Sequence, residues 1–181
     1  MKRRFLLHSI LCFVLFLMIA VYAGRVLQQL AGKLPHRVPD SVRAFFQGAA
    51  AAQARPETAG LLRAVLREDR CEAALKALPV GEPTRLMFDA MVRNTCAPTI
   101  LEAGLKRNVI PSTATAQLSG RTLPDVDEES FLWEVRDIAG DEVEFQLGNF
   151  SSGFEVSHKT PLFDALQAAT QRFDPEGVVV P

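Results

Sequence analysis

Few side chains in this sequence have chemistry to offer, and their spacing decides most of what they can do. His158 falls close to Ser151, Ser152 and Asp164, the residue types of a nucleophilic triad. A triad also needs a nucleophile held on a strained turn and an oxyanion pocket. No G-x-S-x-G elbow accompanies these residues, and such types fall this close together in most chains. No catalytic residue is therefore assigned. His36 lies between Pro35 and Pro39 and reads as a surface or capping residue. Asp125, Asp127, Glu128 and Glu129 would suit calcium or paired-carboxylate work. The other ligands and the glycine of a calcium loop are missing, which leaves a solvated acidic loop. Walker A, G-x-G-x-x-G and H-E-x-x-H patterns are absent too, so neither metal nor cofactor is expected.

Cysteine is the remaining reactive type. Cys12 sits in an apolar run and should behave as a small hydrophobe. Cys71 and Cys96 stand apart from it, and in an oxidising compartment they would most simply form a disulfide. Closing that loop is worth about 3 kcal/mol in the chain-entropy estimate. Neither CxxC nor a Cys/His cluster supports zinc or thiol redox catalysis. Asn149-Phe150-Ser151 matches the N-glycosylation sequon, which matters only at an exposed site in a eukaryotic secreted protein.

The compartment is set by the start of the chain. Lys2, Arg3 and Arg4 precede an apolar run from Phe5 to Gly24, with no further charge until Arg25. Such a run, as a helix, spans roughly 30 Å, the hydrocarbon thickness of a bilayer. The positive-inside rule then places the N-terminus in the cytoplasm. Residues 1–24 are thus expected to be a basic head and transmembrane signal-anchor, with bilayer contact through residues 5–24. The rest of the chain would lie on the periplasmic, or otherwise extracytoplasmic, side of the inner membrane. The rival is cleavage after Ala23, since Val21-Tyr22-Ala23 has small-x-small character. A signal h-region of about 7–15 residues is shorter than this run, which favours the retained anchor.

Beyond the anchor, the chain has the length of one ordinary domain or two small ones. Overall charge is near neutral, but residues 25–107 carry 13 basic and 8 acidic side chains, and residues 108–181 carry 4 and 13. A single Trp and a single Tyr leave no aromatic platform for carbohydrate, and no nucleic-acid partner is expected.

Three segments must position these residues. Residues 25–39 form a juxtamembrane linker ending in two prolines. Residues 40–110 form a stack of short helices. Val42, Phe45, Phe46, Ala49 and Ala50 repeat at helical spacing behind an Asp40 or Ser41 cap, and Pro56 opens the next helix. Asp69 and Glu72 resemble a capping box, Glu82–Arg93 is helical with Asn94 as its C-cap, and a last helix runs from Thr95 to Asn108. Residues 111–181 form a small α+β unit. A strand covers Thr113–Leu118. Phe131, Trp133, Val135, Val143, Phe145 and Leu147 alternate with polar positions around Ala139-Gly140-Asp141, which predicts a β-hairpin with one buried face. Phe154 and Val156 suggest a third strand, and Val178-Val179-Val180 a last one. Thr160 caps a helix whose Leu162, Leu166 and Phe173 should cover the hairpin.

The fold class so read is α+β: a transmembrane helix, stacked short helices, then a small antiparallel sheet with a packed C-terminal helix. The function so read is a non-enzymatic, single-pass accessory subunit of an envelope assembly, acting by contact with other envelope proteins. The alternative is a cleaved, soluble exported protein that binds or hydrolyses a small or lipidic ligand.

Overall fold

The computed structural model describes residues 21–30, 34–104, 111 and 113–181. Among them are seven helices, the first (α1) over residues 21–30, and one two-stranded antiparallel sheet. The chain is thus mixed α+β. Two compact units divide it. One takes the described residues of Met1–Leu34, Thr95–Arg121 and Glu129–Gly148, and the other takes Pro35–Asn94, Thr122–Glu128 and Asn149–Pro181.

The helical unit is built much as its apolar spacing dictates. Helices α2 (Asp40–Ala51), α3 (Pro56–Val65), α4 (Glu68–Ala77) and α5 (Glu82–Met91) pool one stripe each into a shared core. At its centre Phe45, Phe46 and Phe88 meet edge to face, with ring centroids 5.2–5.8 Å apart. The open helix ends are closed by side chains from elsewhere in the unit. The Val65 carbonyl at the end of α3 accepts from His36 Nε2 at 3.0 Å, and the Leu75 carbonyl of α4 accepts from Arg85 Nε at 2.9 Å. Asp69 and Glu72 make no capping box. Arg67 holds Asp69 through two hydrogen bonds at 3.0 and 3.1 Å, and Lys76 bonds Glu72 at 2.6 Å. The small residues late in α2 allow close packing: a Cβ on Gly48 would lie 2.7 Å from Val180 Cγ1.

The cap of α2 comes from far along the chain. Pro39 occupies the N-cap position with no side-chain cap bond, and the Glu155 carboxylate accepts from the Ser41 N–H instead. An anion there meets both an orphan donor and the positive end of the helix dipole. Hydrogen bonds from Ser41 hold the Glu155 carboxyl below the ordinary glutamate value, with smaller help from the Asp40 backbone and His158. A lowered folded value makes the contact stabilising above the unfolded value of about 4.3, and that stability fades as pH falls through the lower folded value. Glu155→Gln is therefore expected to lower the urea midpoint at pH 7, with the gap from the parent chain closing below pH ~4. A gap that stays constant across that range would contradict the assignment.

The other unit departs most from the sequence reading. On α1 the Tyr22 hydroxyl donates to the Ala139 carbonyl at 3.0 Å, and Leu30 and Leu34 are buried with Cys96 and Val135. The expected anchor needs correction here. Residues 1–20 lie outside the described residues, and among the described residues no helix is long and apolar enough to cross a membrane. The end of the expected anchor, at Tyr22, is part of a folded unit.

Strand β1 is Thr95–Ala103, where a helix is expected, and β2 is Ala114–Arg121. They pair antiparallel from Thr95↔Arg121 to Ala103↔Ala114, with a shift between Pro98 and Ile100. Pro98 cannot donate to a ladder, which suits a position beside such an irregularity. Thr99 then uses its hydroxyl to reach the Gln117 carbonyl at 3.1 Å.

The expected hairpin over residues 131–147 is not formed. Helix α6 (Glu128–Ala139) takes its first arm, and residues 143–150 have no regular structure. Phe131, Val135 and Ile138 also fit a helical stripe, and as a stripe they pack on the cluster of Leu30, Leu34 and Cys96. Gly140 has φ +83°, and its N–H donates to the Arg136 carbonyl at 2.9 Å. A glycine in the left-handed region ends a helix as readily as it turns a hairpin. Helical geometry keeps Phe131 and Val135 inward but exchanges two neighbours: Trp133 is 65% exposed and Glu134 is buried.

The last helix, α7 (Pro161–Phe173), forms as expected behind Thr160, whose hydroxyl accepts from the Phe163 N–H at 3.3 Å. It does not cover a hairpin. Leu162, Leu166 and Phe173 are 71%, 49% and 92% exposed. Phe154 and Val156 are exposed in an irregular stretch, and Val178-Val179-Val180 is no strand.

Candidate self-association surface

Among the described residues, no expected chemical group enters a reactive constellation. His158 lies edge to face with Phe163 at 5.5 Å, and among the described residues no hydrogen bond or ion pair joins it to Ser151, Ser152 or Asp164. Glu128 and Glu129 are not a loop but the first turn of α6, where acids complement the helix dipole. Among the described residues no three His, Cys, Asp or Glu side chains gather as metal ligands.

The expected disulfide is absent: Cys71 and Cys96 are both free and buried. Cys71 on α4 belongs to the helical core, and Cys96 on β1 belongs to the core of the other unit. A bridge needs Cα atoms about 4.4–6.8 Å apart, a condition that spacing along the chain cannot supply. Burial pushes both thiols up, and for Cys71 the nearby Arg93 opposes this in part. Each therefore stays protonated and serves as a small hydrophobe.

What the molecule does display is apolar surface on regular elements. Ile100 and Leu101 are exposed on β1, and β1 and β2 pair only with each other among the described residues. Each strand therefore keeps one open edge, a row of unpaired donors and acceptors able to template another chain. Trp133 projects from α6, and the stripe of α7 lies open. Trp133→Ala is expected to change unfolding free energy by no more than ~0.5 kcal/mol, since an exposed side chain leaves no cavity. A loss of several kcal/mol in urea unfolding would return Trp133 to a core.

The described residues thus combine a mixed α+β structure with open strand edges and exposed apolar side chains. Residues 24–146 match the profile of the peptidase dimerisation domain, and the chain belongs to that family. The match runs from α1 through α6. No curated protein and no solved structure matches the chain.

That membership corrects the functional reading. A peptidase dimerisation domain is not the non-enzymatic, membrane-anchored accessory subunit expected from the apolar start. Placement in the inner membrane with a periplasmic domain is corrected with it: the chain belongs to a peptidase family, and among the described residues no helix is long and apolar enough to cross a membrane. Bilayer contact through residues 5–24 likewise has no support, whereas contact with another protein does. Sequence reasoning missed the surface because it assigned every apolar stripe to this chain's own core. No surplus signalled it in the sequence, because the expected hairpin offered the α7 stripe a face to cover.

Proposed function

We propose that this chain works by self-association, as the dimerising part of a peptidase-type hydrolase. The observation that carries this reading is the match of residues 24–146 to the peptidase dimerisation domain. Open strand edges at β1 and β2 and the apolar side chains left uncovered on β1, α6 and α7 support it. Of the two functions weighed from the sequence, the one linked to hydrolysis stands nearer. In this reading the domain serves hydrolysis by pairing subunits, and none of its own side chains is assigned to the reaction. Sedimentation equilibrium of the full chain tests it. A mass near twice the 19.9 kDa chain is expected at tens of micromolar, and a monomer throughout that range would overturn the proposal.

A further inference from the structure

Helix α7 lies beyond the matched range of the family, and none of its 13 residues is buried. Its exposure is nevertheless ordered. One face is fixed to its own unit: Phe163, Gln167 and Thr170 are half-buried. The Gln167 amide donates to the Gly177 carbonyl and accepts from the Val179 N–H, both at 2.9 Å. With Thr160 capping the start, that side of the helix carries its hydrogen bonds to the flanking chain. The adjacent face presents Leu162, Leu166, Ala169 and Phe173, spaced four, three and four residues apart. This is the seam spacing by which one helix packs on another.

The spacing is also symmetric. Turning α7 end for end about a point between Gln167 and Ala168 sets Leu162 opposite Phe173 of a second copy, and Leu166 opposite Ala169. Large then meets small at the centre, and the two largest contacts lie at the ends, as an isologous two-fold interface requires. The ends are complementary in charge as well. The same inversion brings Asp174, just past the helix, beside the helix N-terminus and Lys159 of the second copy. An acid there faces both a positive dipole end and a cation. The two Arg172 side chains, which flank the seam, fall at opposite ends and do not oppose each other.

We infer that α7 packs antiparallel against α7 of a second copy of this chain, through Leu162, Leu166, Ala169 and Phe173. The inference rests on the self-association reading and adds a contact outside the matched domain. Two measurements on the full chain separate the two. In sedimentation equilibrium, Leu166→Glu is expected to raise the dimer dissociation constant at least tenfold, with circular dichroism unchanged because Leu166 is not in a core. Independently, a zero-length carbodiimide cross-link is expected between Lys159 and Asp174 in the parent dimer. Within one chain α7 holds those residues ~20 Å apart, too far for such a link. Mixing heavy-isotope and unlabelled chains should give mixed-mass cross-linked peptides. A dimer that keeps its dissociation constant within twofold in Leu166→Glu, or that lacks the mixed Lys159–Asp174 link, overturns the α7 pairing and leaves self-association standing. A parent chain that is monomeric throughout overturns both. Should Leu166→Glu lose helicity, Phe173→Ser replaces it at the other end of the seam, and the cross-link is read on the parent chain in any case.

Discussion

Replacing Phe46 by Ala should cost the helical unit about 3–5 kcal/mol, the usual loss on emptying a buried aromatic site. Phe46 is fully buried, and its ring meets Phe45 and Phe88, each at a centroid distance of 5.2 Å. Both neighbours sit on helices whose other core contacts fix them, so the space cannot close by collapse. Edge-to-face contacts with two rings are lost along with the buried area, which places the expected value in the upper part of that range. The natural readout is far-UV circular dichroism in urea, because the unit is mostly helix. Trp133 belongs to the other unit, so its emission follows that unit. A dichroism midpoint that drops while the Trp133 transition stays put would show the two units unfolding separately. A loss below ~1 kcal/mol would mean that the three-ring cluster is not the centre of this core.

The second large effect concerns a glycine. Gly120 lies on β2, and a Cβ there would stand 2.6 Å from Cε1 and Cζ of Phe131 on α6. Real Cβ atoms do not approach so closely, and the ring has little freedom because it packs on the cluster of Leu30, Leu34, Cys96 and Val135. Gly120→Ala is therefore expected to cost about 1–3 kcal/mol, the range for overpacking a filled site. A second substitution provides the control. In a Gly120→Ala, Phe131→Ala double variant the clash is gone, so the pair should lose clearly less than the sum of the single changes. Additive losses would show that Gly120 matters for its backbone and not for the room it gives Phe131. The measurement is urea unfolding followed by Trp133 emission, which reports this unit.

Much of the fold was legible because it is decided locally. Pro56 and Pro161 in first turns, Thr160 as a cap and regular apolar spacing place α2 to α5 and α7 from the sequence. Caps were less legible. Asp40 or Ser41 is the local choice to cap α2, yet the acceptor comes from Glu155, more than a hundred residues away. Sequence distance says nothing of such a contact.

Where two local patterns fit one stretch, only the tertiary structure could choose. Phe131 to Ile138 satisfies both a period of two and a helical stripe, and Gly140 at positive φ serves a hairpin turn and a helix end alike. The helix prevails because it turns Phe131, Val135 and Ile138 together onto Leu30, Leu34 and Cys96, a surface made by distant segments. Thr95–Ala103 becomes a strand for the same reason, since β2 supplies the partner that a strand needs and a helix does not. Likewise, the free state of Cys71 and Cys96 was settled by which core each entered, not by their count. The sequence by itself determined that α7 would be amphipathic. That its apolar face is left open was decided only by the tertiary structure, because hydrophobic spacing records that a face must be covered and never by which chain.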